Sequence, residues 1–122
     1  MDSYRHIRVE RKDGAACLRL RKARFDETEI HQLGDEILAA STADGGTKAA
    51  LSLGPGQPDC LYSVFLAKLV GIRNALRKAG GEFVLVEVSP LAYSVFEACL
   101  LHKEFAFFPD FESALRHLGS PG

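Results

Sequence analysis

The sequence predicts an α/β domain: a mixed sheet of four to five strands with about four helices packed on it. An opening stretch of period-2 alternation gives way to apolar strands alternating with amphipathic helices, the pattern of parallel crossovers. Two glycine pairs, Gly45-Gly46 and Gly80-Gly81, each close a helical unit just before an apolar run. The 122 residues are 47% hydrophobic and 25% charged, so 1–122 reads as a single domain long enough to bury one core.

The elements follow in order. Ile7 and Val9 alternate with Arg8 and Glu10, Lys12-Asp13-Gly14 turns the chain, and Ala16, Leu18 and Leu20 alternate with Cys17, Arg19 and Arg21. That is a hairpin with an Asp-Gly turn, its Arg19 and Arg21 face toward solvent. Asp26 followed three residues later by Glu29 is close to a capping box, and Ile30, Leu33, Ile37 and Leu38 form the stripe of a helix over 27–40. The run 48–53 reads as a central strand covered on both faces. The prolines of Gly54-Pro55-Gly56-Gln57-Pro58-Asp59 allow only a loop. A helix over 61–79 buries Phe65, Leu66, Leu69, Val70, Ile72 and Leu76, shows Lys68, Arg73, Arg77 and Lys78 on a positive face, and carries no acidic residue. The stretch 82–88 is the strongest strand. Ser89-Pro90 starts a helix over 90–101 that buries Leu91, Val95, Ala98 and Cys99 or Leu101. A short strand over 105–108 and a helix over 111–118, capped by Asp110, complete the chain. Leu51 and the run 84–86 are expected at the centre of the sheet. The helices are expected to pack through Leu33/Ile37, Leu66/Leu69/Val70 and Val95/Leu91.

Fifteen basic against sixteen acidic side chains give a net charge of −1, which argues against a nucleic-acid binder held by bulk charge. No apolar run reaches the length of a membrane span, and the first residues hold no apolar signal region. Cys17, Cys60 and Cys99, odd in number and without CxxC spacing, read as reduced thiols of a cytoplasmic protein, with Cys17 and Cys99 as small buried hydrophobes. His6, His31, His102 and His117 lack metal-ligand spacing and read as surface or partly buried side chains. There is no dinucleotide or phosphate-loop signature and no nucleophile elbow. Asp35-Glu36 reads as a solvated pair. No metal, no cofactor and no catalytic residues are therefore expected.

What remains is the junction at the C-terminal end of the central strand, Asp59-Cys60-Leu61-Tyr62-Ser63-Val64. Working loops of α/β sheets gather at such ends, here 21–25, 54–61 and 89–90. Ser63 stands near the start of the long amphipathic helix, where a hydroxyl caps amides and a phosphate is favoured. Three residues before Leu66, it falls about 60° around the helix from that direction, at the rim of the buried stripe.

From about residue 7 to residue 118 the sequence resembles the anti-sigma-factor antagonist family, the STAS domain. The resemblance rests on Tyr62-Ser63-Val64-Phe65-Leu66-Ala67-Lys68-Leu69, then Leu76-Arg77-Lys78-Ala79-Gly80-Gly81-Glu82-Phe83-Val84-Leu85-Val86. It continues through Val88-Ser89-Pro90, Val95-Phe96, Leu100-Leu101, the aromatic before Asp110 and the last helix. The family's phosphorylated serine falls on Ser63. Leu61 and Tyr62 replace the Asp and Ser before it, Val64 replaces the Gly after it, and Ser52 stands where the central strand often has Asp.

The resemblance implies a bacterial, cytoplasmic regulator of sigma-factor activity that is not an enzyme. Its partner would be an anti-sigma factor of the GHKL serine-kinase type, and the resemblance leaves room for a serine phosphatase as a second. Phosphorylation at Ser63 would break the complex, and Ser52, Asp59, Cys60, Tyr62, Ser63 and Val64 would form the binding surface. No nucleic acid and no direct membrane insertion are implied, and the chain would be a monomer or weak homodimer. Two alternatives stand beside it: a non-switching STAS subunit of a transporter or signalling assembly, and a small-ligand-binding protein using the loop before Ser63.

Overall fold

The alternating start folds into β1 (Ile7–Lys12) and β2 (Ala15–Leu20), antiparallel with Ile7 opposite Leu20 and Lys12 opposite Ala15. Asp13 and Gly14 make the turn at φ 53° and 80°, the two positive values that a two-residue hairpin needs. The structure is a computed structural model and describes residues 4–54 and 63–119. After the hairpin come α1 (Glu27–Thr42), a 3-10 turn (Ala43–Gly45), β3 (Lys48–Ser52), α2 (Ser63–Lys78), β4 (Glu82–Val86), α3 (Pro90–Ala98), β5 (Phe107–Phe108) and α4 (Phe111–Gly119). The strands lie in the order β1-β2-β3-β4-β5, all parallel pairs after the first. This is the expected mixed sheet with four helices.

Period-2 burial divides the core. Ala49, Leu51, Phe83 and Leu85 face the layer of α1, α2 and α3, where Leu33, Ile37, Phe65, Leu69 and Phe96 cover them. Ala50, Val84 and Val86 face the other way, beneath Ala114, Leu115 and Leu118 of α4. Leu51 lies in register with Leu18 and Leu85, at the middle of the sheet.

Local signals set the helix ends. Asp26 accepts from the Glu29 amide at 2.8 Å and Glu29 accepts from the Asp26 amide at 3.0 Å, a complete capping box. Hydrogen bonds from Lys22 and from the Asp26 amide hold the Glu29 carboxyl below the usual carboxylate range. At the far end of α2, Gly80 at φ 87° lets the Gly80 amide reach Arg77 O at 2.9 Å and the Gly81 amide reach Leu76 O at 2.8 Å. These are the two bonds of a Schellman stop.

Several expectations are corrected. α3 buries Ala92 and Phe96 rather than Leu91 and Val95; Leu91 is 58% exposed and Val95 half-buried. The ring of Phe96 packs edge-on against Phe105 and Phe107, with centroids 5.8 and 5.4 Å away, and that aromatic cluster selects the face. Ala98 and Cys99 are exposed because the helix ends there, with Leu100 in the left-handed region at φ 59°. Leu38 turns outward from α1. Arg73 is buried rather than part of a solvated positive face, its guanidinium bonded to Asn74 and 3.6 Å from Glu104. His6 is buried, its ring bonded to Gln32 and edge-on to Phe25. Glu36 is not simply solvated: it accepts from the Arg5 and His6 amides at 3.0 and 2.9 Å and ties the chain start to α1.

Candidate functional site

Parallel strands deliver their C-terminal ends to one edge of the domain, and the candidate site is built there. β3 ends at Ser52 and β4 at Val86, which pair in register. Ser63 is the first residue of α2 and is exposed; Val64 beside it is 39% exposed. Two residues on, Phe65 is fully buried, so the helix start is pinned by its apolar face while its first two residues meet solvent. The first turn of α2 carries no acidic side chain of its own to offset the positive end of the helix dipole. Val64 also closes a concavity of about 350 Å3 with Phe25, Asp26, Glu27 and Ile30 from the start of α1. Asp59, Cys60 and Tyr62 lie outside the described residues, as does most of the loop expected before α2.

Ser52 is not a surface residue. It is fully buried, and its hydroxyl donates to Glu87 Oε1 at 2.5 Å while accepting from the Gly54 amide at 3.2 Å. Its side chain offers a partner no contact; it holds the backbone of the loop base. Glu87 Oε1 also takes the Arg19 guanidinium at 2.9 Å, and that guanidinium lies 4.7 Å over the Phe111 ring. Ser52, Glu87 and Arg19 thus join the ends of β2, β3 and β4 beneath α4.

Sequence reading missed Glu87, which it ran into a strand over 82–88. The strand stops at Val86, and Glu87 turns to φ 55°. The available signal was an acidic residue ending an apolar strand beside a serine that ends its neighbour. Glu87→Ala removes the acceptor of a buried hydroxyl and the partner of a half-exposed arginine. The expected loss is about 1–2 kcal/mol in urea unfolding, with little change in the m-value.

Among the described residues no group of three or more His, Cys, Asp and Glu side chains is placed to hold a metal, and no helix is long and apolar enough to cross a membrane. Cys17 is buried beneath α4, and burial pushes its thiol up from the ordinary value, away from the reactive thiolate.

The fold as a whole has counterparts among solved structures. An anti-sigma-factor antagonist (STAS) domain protein from Planctomyces limnophilus superposes with a TM-score of 0.77 at 21% identity, over 93% of this chain and 98% of that one. The fold is that of the STAS domain. The protein TM1081 of Thermotoga maritima shares it with a TM-score of 0.79 at 16% identity, over 99% of this chain and 94% of that one. So does the anti-sigma factor antagonist SpoIIAA of Bacillus in its unphosphorylated form, with a TM-score of 0.72 at 18% identity over 95% and 99%. SpoIIAA has also been solved in its phosphorylated form, which has a TM-score of 0.66 to this chain. No protein-family model matches the sequence, and no curated protein matches it. Within the STAS fold of this chain, the exposed start of α2 falls on the residues that the sequence singled out.

Proposed function

We propose that this chain is a cytoplasmic regulatory binding module that captures an anti-sigma factor of the GHKL serine-kinase type, and that phosphorylation of Ser63 releases it. The observation that carries this reading is Ser63 exposed as the first residue of a sixteen-residue helix, in a fold shared with an antagonist solved in both phosphorylated and unphosphorylated forms.

The chemistry of a switch fits the place. Phosphorylation adds about −1.5 to −2 charges. At the start of a helix whose first turn holds no acidic side chain the free amides favour that charge, and the folded chain tolerates it. A docked partner does not, because the phosphate would be desolvated in the middle of an interface. The same edge offers the exposed Val64 as apolar contact area, at the rim of the concavity it shares with Asp26 and Glu27. Binding and release of this kind use no catalytic group of the chain itself.

A second reading is favoured by Val64, an exposed branched apolar residue directly beside the serine. It suits permanent docking, as in a non-switching STAS subunit of a transporter or larger signalling assembly.

The test is affinity capture from the native lysate with wild-type, Ser63→Ala and Ser63→Glu chains. Wild type and Ser63→Ala are expected to retain an ATP-binding serine kinase that Ser63→Glu fails to hold. Retention of one partner equally by all three forms supports the second reading instead.

A further inference from the structure

We propose that the notch where β4 and β5 end receives an arginine side chain of the bound protein, held by Glu87 and the aromatic rings around it. The inference rests on the reading above that this edge of the domain binds a protein, and adds the chemistry of one contact. β3 and β4 are parallel and end in register at Ser52 and Val86. The residues after β4 therefore lie on the same edge as the start of α2, which follows β3.

Three segments build the notch. Glu87 and Pro90 follow β4, Tyr93 comes from α3, and Phe107, Phe108 and Pro109 come from β5 and the residue after it. The notch encloses about 370 Å3, and every residue lining it is half-exposed or exposed, so an incoming side chain touches the walls themselves. Those walls are fixed before anything binds. The Glu87 amide donates to Phe108 O at 3.2 Å. The Tyr93 ring stands edge-on to Phe107 with centroids 5.0 Å apart, and the Phe108 ring packs against His117 at 4.9 Å.

Glu87 is the one charged residue in the lining. Its backbone sits at φ 55°, a conformation that a glutamate rarely adopts and that gathers where a side chain must be aimed. A carboxylate has about four acceptor sites. Glu87 Oε1 takes the Ser52 hydroxyl and the Arg19 guanidinium, while Oε2 has no hydrogen-bond or ion-pair partner among the described residues. An unpaired carboxylate oxygen among aromatic and proline surfaces is a receptor for a cation with a flat apolar face. Arginine supplies both, because its guanidinium can donate to Oε2 while its plane lies on a ring. The ammonium of lysine is more strongly hydrated and has no plane to stack. A neutral side chain would desolvate the carboxylate without pairing it.

The test is a titration of the isotope-labelled full chain with N-acetyl-arginine amide, followed by heteronuclear NMR. The amides of Glu87, Val88, Tyr93, Phe107 and Phe108 are expected to shift along one saturating curve with a Kd of about 10 mM, weakening as salt is added. The neutral isostere N-acetyl-citrulline amide is expected to leave them in place, and N-acetyl-lysine amide to bind at least about threefold more weakly. Glu87→Gln keeps an oxygen for Ser52 and Arg19 but loses the charge. It is expected to keep the circular dichroism of the wild type and to weaken the arginine probe at least about fivefold. No saturable shift at these amides up to about 100 mM, an equal response to citrulline, or undiminished binding by Glu87→Gln overturns the proposal. Lysine bound as tightly as arginine overturns the assignment to arginine. No partner protein takes part in these titrations, so their failure is distinct from a failure of the Ser63 capture.

Discussion

Phe65→Ala is expected to destabilise the fold by about 3–5 kcal/mol, the range for emptying a phenylalanine site that cannot collapse. Phe65 is fully buried and belongs to the core between α1, α2 and the sheet. A domain of this size is stable by about 5–15 kcal/mol, so the change removes a large share of the total. Urea unfolding followed by far-ultraviolet circular dichroism measures it as a drop in midpoint. Phe65→Leu keeps most of the volume and is expected to lose well under half as much. The position matters for function because Phe65 sits two residues beyond Ser63. If α2 is anchored there, amides of its first turn should exchange faster in Phe65→Ala than those near Leu76, beyond the global change.

Gly81→Ala is expected to cost about 3 kcal/mol or more, at the upper end of overpacking effects. A Cβ at Gly81 would lie 1.7 Å from Thr47 O and 2.4 Å from Thr47 C, both backbone atoms. Neither can swing aside, and the same Thr47 carbonyl accepts the Glu82 amide at 2.9 Å where β3 and β4 begin to pair. Gly80→Ala is the control. It has open space around it but a φ of 87°, so only left-handed strain applies, about 1–2 kcal/mol. Thermal and urea unfolding of the two variants should rank Gly81→Ala clearly below Gly80→Ala; equal losses would mean that close approach to β3 is not what the second glycine supplies.

The pair also marks how far the sequence could be read. Gly-Gly at the end of an amphipathic run announced a helix stop, because that signal is local. Which glycine is crowded by Thr47 depends on where β3 lies, and no local pattern carries that. The mixed α/β sheet was legible for a similar reason, since alternating strands and helices leave few topologies open, whereas the order of the strands was not read from the sequence. α3 was misread because Leu91, Ala92, Val95, Phe96 and Ala98 make it apolar nearly all round. Periodicity cannot choose a face there; the rings of Phe105 and Phe107 do. Leu100 and Glu87 take positive φ without being glycine, asparagine or aspartate, so nothing in their identity announced the turn. Burial of Arg73 depends on where the chain after α3 passes, with Glu104 beside it. At the candidate site, the exposed helix start was legible from the amphipathic stripe, whereas the Ser52–Glu87–Arg19 link across three strand ends was not.

The central claim is that the start of α2 is a protein-binding surface switched by charge on Ser63. It is tested most directly by titrating the captured kinase-type partner with wild-type, Ser63→Ala and Ser63→Glu chains in a calorimeter. Ser63→Ala is expected to bind as tightly as wild type and Ser63→Glu at least about tenfold more weakly, about 1.4 kcal/mol, with identical circular dichroism for all three. Equal affinities for the three chains would contradict the claim.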